Sequence, residues 1–261
     1  MDISELKRVH HDKEEQRHPW EQARAKIIGF LLSRHLHVPL QHLTDIGSGD
    51  AYVADYLHKK SIAQTIAAID TSYTNDVEEK VREKVYQKEI ILYSSLPAFI
   101  TDFTGETEAV LLLDVLEHHP DPSLFLNQIK NTIPLASGGI YIITVPAFKK
   151  IFSQHDVLLG HLRRYNTSTL ANQVSKSGYV IIRKGYFFSS LLFLRIIQLF
   201  LEKMGLSSAR KGVDNWNASP LPTRFFALLL WLDFRLSFLF NKLKIQLPGL
   251  SCYCICQSSP S

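Results

Sequence analysis

The central part of the sequence alternates short runs of β-branched and aliphatic residues with segments of helical periodicity, from about residue 19 to residue 184. Parallel strands need a crossover segment between them, and an α-helix is the usual crossover. The alternation therefore predicts βαβ units and a mostly parallel sheet covered by helices. With 261 residues and 46% hydrophobic side chains, the chain can bury one such α/β core and still carry an additional segment.

The predicted elements follow one another closely up to the sixth strand. Strands are expected at 43–46, 65–70, 89–93, 109–114, 140–145, 179–184 and 250–257. Helices are expected at 19–35, 52–59, 76–87, 96–103, from 121 or 122 onward, at 168–177, and as two apolar patterns at 189–204 and 223–244. We therefore divide the chain into an N-terminal cap helix (1–41), an α/β core (42–186), a hydrophobic helical insertion or lid (187–247) and a final core strand (248–261).

Charge and cysteine usage exclude several classes of protein. The net charge is +4, the pI is near 8.8 and no run of five like charges occurs, so we expect no nucleic-acid partner. The N-terminus lacks the apolar core of a secretory signal, which predicts a cytoplasmic protein. The three cysteines alternate at 252, 254 and 256, on one face of a strand, and are expected to be buried thiols.

A glycine turn follows the first predicted strand, where residues 45–51 read DIGSGDA. Glycines here let the backbone approach a ligand while the next helix presents its N-terminal amides. A tight βα turn without a ligand is the alternative. Asp70 ends the second strand about twenty residues later, where a carboxylate can bind both ribose hydroxyls of an adenosine. The alternative for Asp70 is a turn or helix N-cap residue.

The residues around this turn argue against a nicotinamide dinucleotide. A dinucleotide fingerprint needs a third glycine at position 52, which is Tyr52 here, and Asp50 lies where a pyrophosphate would approach. A cationic sulfonium cofactor without phosphate tolerates carboxylates such as those of Asp45, Asp50 and Asp114. A nicotinamide oxidoreductase is therefore the less favoured enzyme class.

Three segments taken together resemble the motifs of class I S-adenosylmethionine-dependent methyltransferases. They are DIGSGDA at 45–51, ID at 69–70, and LDVLEH at 113–118 followed by PDP at 120–122, with Ala51 in place of the usual third glycine. The resemblance implies a methyltransferase with S-adenosylmethionine as cofactor. It also implies a Rossmann-like α/β fold whose sheet is mostly parallel with an antiparallel last strand, here with the apolar helical insertion between the last two strands.

The same resemblance assigns the cofactor-binding residues. Gly47, Ser48 and Gly49 would line the methionyl part of the cofactor, next to Asp45. Asp70 and Thr71 would lie at the ribose, and Ser95 and Leu96 at the adenine. The sulfonium side would be lined by Asp114, Val115 and Leu116. By analogy with an N-terminal helix that covers the cofactor in related enzymes, Arg24 would hold the methionine carboxylate. A solvated helix arginine is the alternative.

The acceptor side is predicted from the segments after the fourth and fifth strands. Residues 160–165 read GHLRRY, which resembles a Gly-His-x-Arg-Arg-Tyr segment in a group of bacterial methyltransferases. We expect His161 or His118 to act as general base, and Arg164 and Tyr165 to place an anionic or phenolic oxygen. In the alternative, these side chains cap helices and pair with Asp156.

Metal binding is a competing interpretation of the segment after strand four. Asp114, Glu117 and His118 have the spacing of a Glu-x-x-Glu-His segment in methyltransferases that use a divalent cation, but the first ligand differs. Asp114 also has a role at the cofactor, and the sequence identifies no further ligand. We therefore expect no metal.

The apolar segment 187–247 indicates the acceptor class. Arg195 interrupts its first helix and Asp233 and Arg235 its second, so neither is expected to span a bilayer. Its wide apolar faces and excess of basic residues predict peripheral contact with the inner face of a membrane and a lipid-like, phenolic or polyene acceptor. The alternatives are a soluble small-molecule O-methyltransferase with this segment as a lid, and a non-catalytic methyltransferase-like binding subunit.

Overall fold

A computed structural model describes residues 17–85, 87–204 and 219–259, apart from the side chains of 202 and 203. Its seven strands are β1 Leu40–Ile46, β2 Ala63–Ile69, β3 Ile90–Tyr93, β4 Thr107–Leu113, β5 Leu135–Pro146, β6 Tyr179–Phe187 and β7 Ser251–Ser258. The helices are α1 Pro19–His35, α2 Tyr52–Lys59, α3 Asn75–Lys84, α4 Leu96–Asp102, α5 Pro122–Thr132, α6 Gln154–Leu158, α7 Thr167–Lys176, α8 Ser189–Lys203 and α9 Pro220–Lys242, with short 3-10 helices at Leu116–His118 and Lys149–Ile151.

All seven strands form one sheet in the order β3-β2-β1-β4-β5-β7-β6. The neighbours from β3 to β5 are parallel, whereas β7 is antiparallel to both β5 and β6. The predicted Rossmann-like fold with an antiparallel last strand is thereby confirmed. The strand order reverses at β1 and β4, and crevices at the carboxyl ends of strands around such a point are where ligands bind in open α/β sheets.

The predicted elements are present with shifted ends, and the structure adds the short helix α6, which the sequence analysis did not predict. Strand β5 begins at Leu135 rather than at residue 140. Its first residues pair with β4 after a shift in register between Thr107 and Ala109. Local periodicity could not reveal this extension, because Gly138 and Gly139 read as a turn when the neighbouring strand is unknown.

Hydrophobic clusters cover both faces of the sheet. Side chains of α1, α2, α3 and α9 pack on one face, and those of α4, α5 and α7 pack on the other. The alternating thiols of Cys252, Cys254 and Cys256 point into the second cluster, and all three are buried and unpaired by disulfides. Helices on both faces leave the carboxyl edge of the parallel strands as the place for a site.

The helical pair α8 and α9 lies between β6 and β7 in the chain. The pair is not an isolated unit, because Phe234 and Phe238 of α9 belong to the same cluster as α1 and the sheet. The Phe30 ring of α1 meets the rings of Phe234 and Phe238 edge to face, with centroids 5.8 and 5.1 Å apart. No helix in the described part of the chain is long and apolar enough to cross a membrane. The connector at 205–218 and the first sixteen residues of the predicted cap lie outside the described residues.

Candidate functional site

The glycine turn between β1 and α2 has the backbone that its sequence requires. Gly47 and Gly49 have φ angles of +73° and +57°, and Ala51 has a φ of +58° directly before α2. A Cβ atom at Gly47 would come within 2.5 Å of the Val115 side chain, which follows β4. Glycine at position 47 therefore serves both the left-handed backbone and the close approach of the β1 and β4 ends.

Asp70 connects the end of β2 to this glycine turn. Its Oδ2 accepts a hydrogen bond from the Gly49 amide at 2.9 Å, and its Oδ1 accepts from the amide and hydroxyl of Ser72 at 2.9 and 2.5 Å. The side chain therefore has the turn role that was the alternative in the sequence. It also lies at the carboxyl edge beside the glycines, where a carboxylate that binds the ribose hydroxyls is expected. Thr71, the next residue, is exposed at the same edge.

Asp45 is buried at the carboxyl end of β1. Burial raises the pKa of its carboxyl group to about 7; the cation of Arg24 opposes this shift and the nearby carboxylate of Asp70 adds to it. A cation entering this pocket would therefore favour the ionised form of Asp45.

Two arginines of the N-terminal segment reach the carboxyl edge of the parallel strands. Arg24 Nη1 of α1 donates to Asp114 Oδ2 at 2.7 Å, and Thr144 Oγ1 donates to the other oxygen at 3.1 Å. Arg17, which the sequence analysis did not single out, lies 2.6 Å from Asp50 Oδ2 and stacks over a tyrosine ring of α2. Its signal in the sequence is weak, because a lone arginine before a helix is ordinarily a surface residue.

The remaining predicted cofactor residues lie around the same edge. The Ser48 hydroxyl is 2.9 Å from the Tyr73 hydroxyl. Ser95 caps α4 by accepting from the Ala98 amide at 3.2 Å, and Leu96 follows it at the start of the helix. Val115 and Leu116 follow Asp114, whose φ is +55°, and Leu116 begins a 3-10 helix that turns the chain away from β4. The edge thus carries the predicted residues from four neighbouring strands, β3, β2, β1 and β4.

The segments after β4 and β5 meet beside this edge. The Leu162 amide donates to the Glu117 carbonyl at 2.9 Å, and Arg163 donates to the Pro120 carbonyl at 2.9 Å. These bonds hold the rings of His118 and His161 edge to face, with centroids 4.9 Å apart. The structure therefore brings both predicted base candidates to one place.

Asp156 is the hub of the segment that carries His161. Its Oδ1 lies 3.0 Å from His161 Nδ1 and 2.7 Å from Arg164 Nε, and its Oδ2 accepts from the Ser153 amide at 2.8 Å. Although burial works in the opposite direction, the hydrogen bonds from His161 and Arg164 hold the pKa of Asp156 well below its usual range. The carboxylate is therefore ionised and fixes the imidazole orientation.

Arg164 and Tyr165 are turned toward the protein. Besides its bond to Asp156, Arg164 donates to the Ala147 carbonyl at 2.9 Å. Tyr165 is buried and pairs with the chain after β5 through its backbone, and burial raises the pKa of its hydroxyl to about 12. In this geometry both residues support the His161 segment, so their predicted contact with an acceptor oxygen stays a prediction.

Glu117 is a functional candidate to which the sequence analysis gave no catalytic role. Its side chain is fully buried, and its Oε1 lies 3.8 Å from His161 Nε2. Ligand atoms of Glu117, His118 and His161 all lie within 4.8 Å of one another. Burial, followed by the charge of Asp114, raises the pKa of Glu117 well above its usual range, and burial lowers the pKa of His118. The only sequence signal was the Glu-His pair itself, since His161 is distant along the chain.

A family model described as a methyltransferase domain matches residues 13–184. Of the solved structures, one from a complex between the Haloferax volcanii Trm112 methyltransferase activator and a proposed methyltransferase covers 100% of this chain and 99% of its own, with a TM-score of 0.53 at 10% identity. The [4+2]-cyclase SpnF is similar over 96% of this chain and 86% of its own, with a TM-score of 0.54 at 13% identity.

A third similar structure is the N-methyltransferase NodS from Bradyrhizobium japonicum, solved with S-adenosylhomocysteine. It covers 69% of this chain and 87% of its own, with a TM-score of 0.50 at 13% identity. At these sequence identities the similar structures support the assignment of the fold alone. A search of curated proteins finds no match to the sequence.

Proposed function

Because this chain belongs to the class I S-adenosylmethionine-dependent methyltransferases, we propose that it methylates a hydrophobic acceptor held at the surface of a membrane. The family assigns the reaction type and the cofactor, S-adenosylmethionine. The finer part of the proposal, the lipid-like acceptor and the membrane, rests on the orientation of helix α9.

Three polar side chains of helix α9 bond to neighbouring elements, while its cationic residues Arg224, Arg235 and Lys242 are exposed. Ser237 donates to the Tyr186 carbonyl at 3.3 Å, Asn241 donates to the Lys184 carbonyl at 2.8 Å, and Asp233 accepts from the Ser190 hydroxyl at 2.9 Å. Asp233, Ser237, Asn241 and Lys244 recur at helical spacing on one stripe, which would face water in an amphipathic surface helix. Lys244 is exposed, whereas the other three bond to the protein. Their inward orientation leaves much of the apolar side of the helix facing outward.

The exposed side of the helical pair is broadly apolar. Its large hydrophobic residues with at least 36% exposure are Phe193, Leu194, Ile196, Ile197, Phe200, Leu201, Leu221, Phe225, Phe226, Leu228, Leu229, Leu232, Leu236 and Leu239. So many exposed large hydrophobic side chains on two neighbouring helices are unusual in monomeric soluble proteins. Such exposure marks contact with a membrane or another protein. This is the observation that carries the membrane proposal.

Charge favours an anionic lipid surface over a second protein. In the sequence of α8, α9 and the two residues that follow α9, the cationic residues are Arg195, Lys203, Arg224, Arg235, Lys242 and Lys244, against the two carboxylates of Glu202 and Asp233. Basic helices with one apolar face bind anionic bilayers through both terms, burial and electrostatics.

The residues at the carboxyl edge then take the roles of a methyltransferase site. We assign the ribose to Asp70 with Thr71, the methionyl part to Gly47, Ser48 and Gly49 with Arg24, and the sulfonium side to Asp114, Val115 and Leu116, beside Asp45. Ser95 and Leu96 face the adenine. In-line transfer requires a positioned acceptor that loses its proton where it is weakly nucleophilic, and His161 and His118 are the groups assigned to that step.

The test compares ligands and acceptors in the full-length protein. S-adenosylhomocysteine is expected to raise the melting temperature and NAD to leave it unchanged. With labelled S-adenosylmethionine, transfer to a phenolic lipid in anionic vesicles is expected to exceed transfer to a water-soluble phenol. Equal transfer to both acceptors, with the protein remaining in the soluble fraction, would favour the alternative in which α8 and α9 form only a lid. Binding of S-adenosylhomocysteine without transfer to any acceptor would favour a non-catalytic subunit.

A further inference from the structure

The carboxylate of Glu117 is in an unusual environment. It is fully buried, and within the described part of the chain neither of its oxygens has a hydrogen-bond partner from another residue. A buried carboxylate that is left without a proton or a cation costs far more than one hydrogen bond. Either a proton on Glu117 or a cation beside it is therefore needed.

The hydrogen bonds around His161 fix which of its nitrogens faces Glu117. Asp156 Oδ1 lies 3.0 Å from His161 Nδ1, and a carboxylate accepts the hydrogen bond that a neutral imidazole donates from this nitrogen. In that tautomer the lone pair is on Nε2, the atom 3.8 Å from Glu117 Oε1. A cation between these two atoms would then be bound by an imidazole nitrogen and a carboxylate oxygen.

His118 supplies a third donor. Its ring meets the His161 ring edge to face, and its ligand atom lies within 4.8 Å of those of Glu117 and His161. The backbone bond from Leu162 to the Glu117 carbonyl ties the two segments together, so the three groups converge on a constrained frame.

We propose that Glu117, His118 and His161 bind one divalent first-row transition-metal ion. Two imidazoles and one carboxylate suit Zn²⁺ and its neighbours, while Mg²⁺ and Ca²⁺ prefer oxygen-only sites. Asp156 is the outer carboxylate that orients a metal-bound histidine through its other nitrogen. The sequence-based expectation of no metal rested on the lack of a further ligand, and His161 supplies it from the segment after β5.

Three protein ligands leave coordination positions open, as in catalytic metal sites. Resting on the proposed function, this inference refines it. An acceptor hydroxyl bound to the ion loses its proton to solvent more readily, and the oxygen then forms a bond to the methyl carbon as the carbon–sulfur bond breaks. S-adenosylhomocysteine leaves as a neutral thioether. The two histidines act through the ion in this refinement.

The experiment measures metal binding in the full-length protein without cofactor or acceptor, so that it is independent of methyl transfer. After treatment with a chelator, Zn²⁺ and Co²⁺ are titrated by calorimetry, and the visible spectrum of the Co²⁺ form reports nitrogen ligation. One equivalent is expected to bind. Glu117→Gln and His161→Asn are each expected to weaken binding by more than about a hundredfold, beyond the loss expected for an outer-shell partner.

His119→Asn is the matched control, because His119 is adjacent to His118 while its ring stacks on Phe125 with centroids 3.7 Å apart. It is expected to bind the ion as the unaltered protein does. Thermal unfolding verifies that each variant is folded; Glu117→Gln, which removes a buried charge, is expected to fold. Absence of binding in the unaltered protein, or equal binding by Glu117→Gln, His161→Asn and the control, would overturn the proposal while leaving the methyltransferase assignment standing.

Discussion

Individual carboxylates in this molecule have structural roles beside the binding roles that we propose for the site. Asp70 holds the glycine turn through Gly49 and its own turn through Ser72, yet two carboxylate oxygens offer about four acceptor positions, so a ribose can still be bound. Asp156 similarly orders its segment by fixing His161 and Arg164. At this scale, replacing a residue separates its structural from its binding role only when a conservative variant is included.

Replacing Asp70 tests the ribose assignment. Asp70→Ala is expected to reduce affinity for S-adenosylhomocysteine by more than about a hundredfold, because two charge-assisted hydrogen bonds of about 1.5–3 kcal/mol each are lost. Asp70→Asn, which can keep one acceptor oxygen for the Gly49 amide, is expected to retain more of the glycine turn but lose most of the affinity. Calorimetry measures both. Unchanged affinity in Asp70→Ala would refute the assignment.

His161 is expected to matter for turnover and not for the cofactor. His161→Ala is expected to lower turnover by about a hundredfold, the usual contribution of a positioned proton-transfer group. Affinity for S-adenosylhomocysteine should change little, since Asp70 and the glycine turn lie on other loops. Single-turnover rates and calorimetry together provide the measurement. If turnover equals that of the unaltered protein, neither the imidazole nor an ion bound to it contributes to acceptor activation.

The raised pKa of Asp45 predicts a pH dependence of stability. A carboxyl with a folded pKa of about 7 and an ordinary unfolded pKa favours folding in its protonated form. This contribution is fully present below the unfolded pKa and is lost as the pH rises through about 7. Asp45→Asn should therefore flatten the decline in the free energy of unfolding between pH 4 and 7, by at most about 1.4 kcal/mol per pH unit.

The measurement is denaturant unfolding of both proteins across that range, without cofactor. The control is Asp76→Asn, an exposed carboxylate on α3, which should leave the pH profile unchanged. Parallel profiles for Asp45→Asn and the unaltered protein would show that Asp45 is ionised in the folded state at neutral pH.

At the scale of elements, the ends of β1 and β4 depend on each other. Gly47 follows β1 and Val115 follows β4, and they pack so closely that no side chain fits at position 47. Helix α9 shows a second dependence, because Asp233, Ser237 and Asn241 bond to α8 and β6 while its hydrophobic residues are divided between the core and the surface. In both cases a neighbouring element determines which side chains of the first element can be accommodated or exposed.

Gly47→Ala tests the first of these dependences. The variant places a Cβ against Val115 and forces an alanine into a left-handed backbone, a conformation that costs about 1–2 kcal/mol. We expect lower stability and weaker binding of S-adenosylhomocysteine. Adding Val115→Ala removes the contacting methyl and should restore only the part due to the clash. If the second substitution restores nothing, the close approach of the two strand ends is not what limits position 47.

At the scale of the whole molecule, the sheet and the helical pair place two different surfaces on one protein. The strand order gathers the glycine turn, Asp70 and Asp114 at one edge, while α9 packs on α1 and β6 and α8 packs on α9. Deleting 187–247 would remove Phe187 and Phe234 from the main hydrophobic cluster, so the membrane proposal is better tested by surface substitutions.

We expect the double variant Leu232→Glu and Leu236→Glu to abolish flotation with anionic liposomes. Both side chains are about half exposed on α9, and burying two carboxylates in the acyl region opposes insertion. Leu124→Glu is the control, because Leu124 is 68% exposed on α5, which packs on the opposite face of the sheet. Affinity for S-adenosylhomocysteine should be unchanged in both. Flotation of the double variant at the level of the control would refute membrane contact through α9.

Most element types, the mostly parallel α/β class, the glycine turn and the position of Asp70 could be predicted from the sequence alone. These follow from local causes: hydrophobic periodicity, the backbone freedom of glycine, and the rule that the carboxyl ends of parallel strands share one edge. The cofactor could be predicted for the same reason, since its motifs are short and lie at strand ends.

The contacts between side chains of different loops, and the face of α9 that is covered, became visible in the three-dimensional structure. Arg24 reaches Asp114, and His161 reaches Glu117, because helix α1 crosses the carboxyl edge and the segment after β5 bonds back to the one after β4. Contacts between residues far apart in the chain depend on how crossovers pack, and no local pattern encodes that. A polar stripe on a helix likewise indicates two faces, but whether water or the protein satisfies its hydrogen bonds depends on the neighbouring elements.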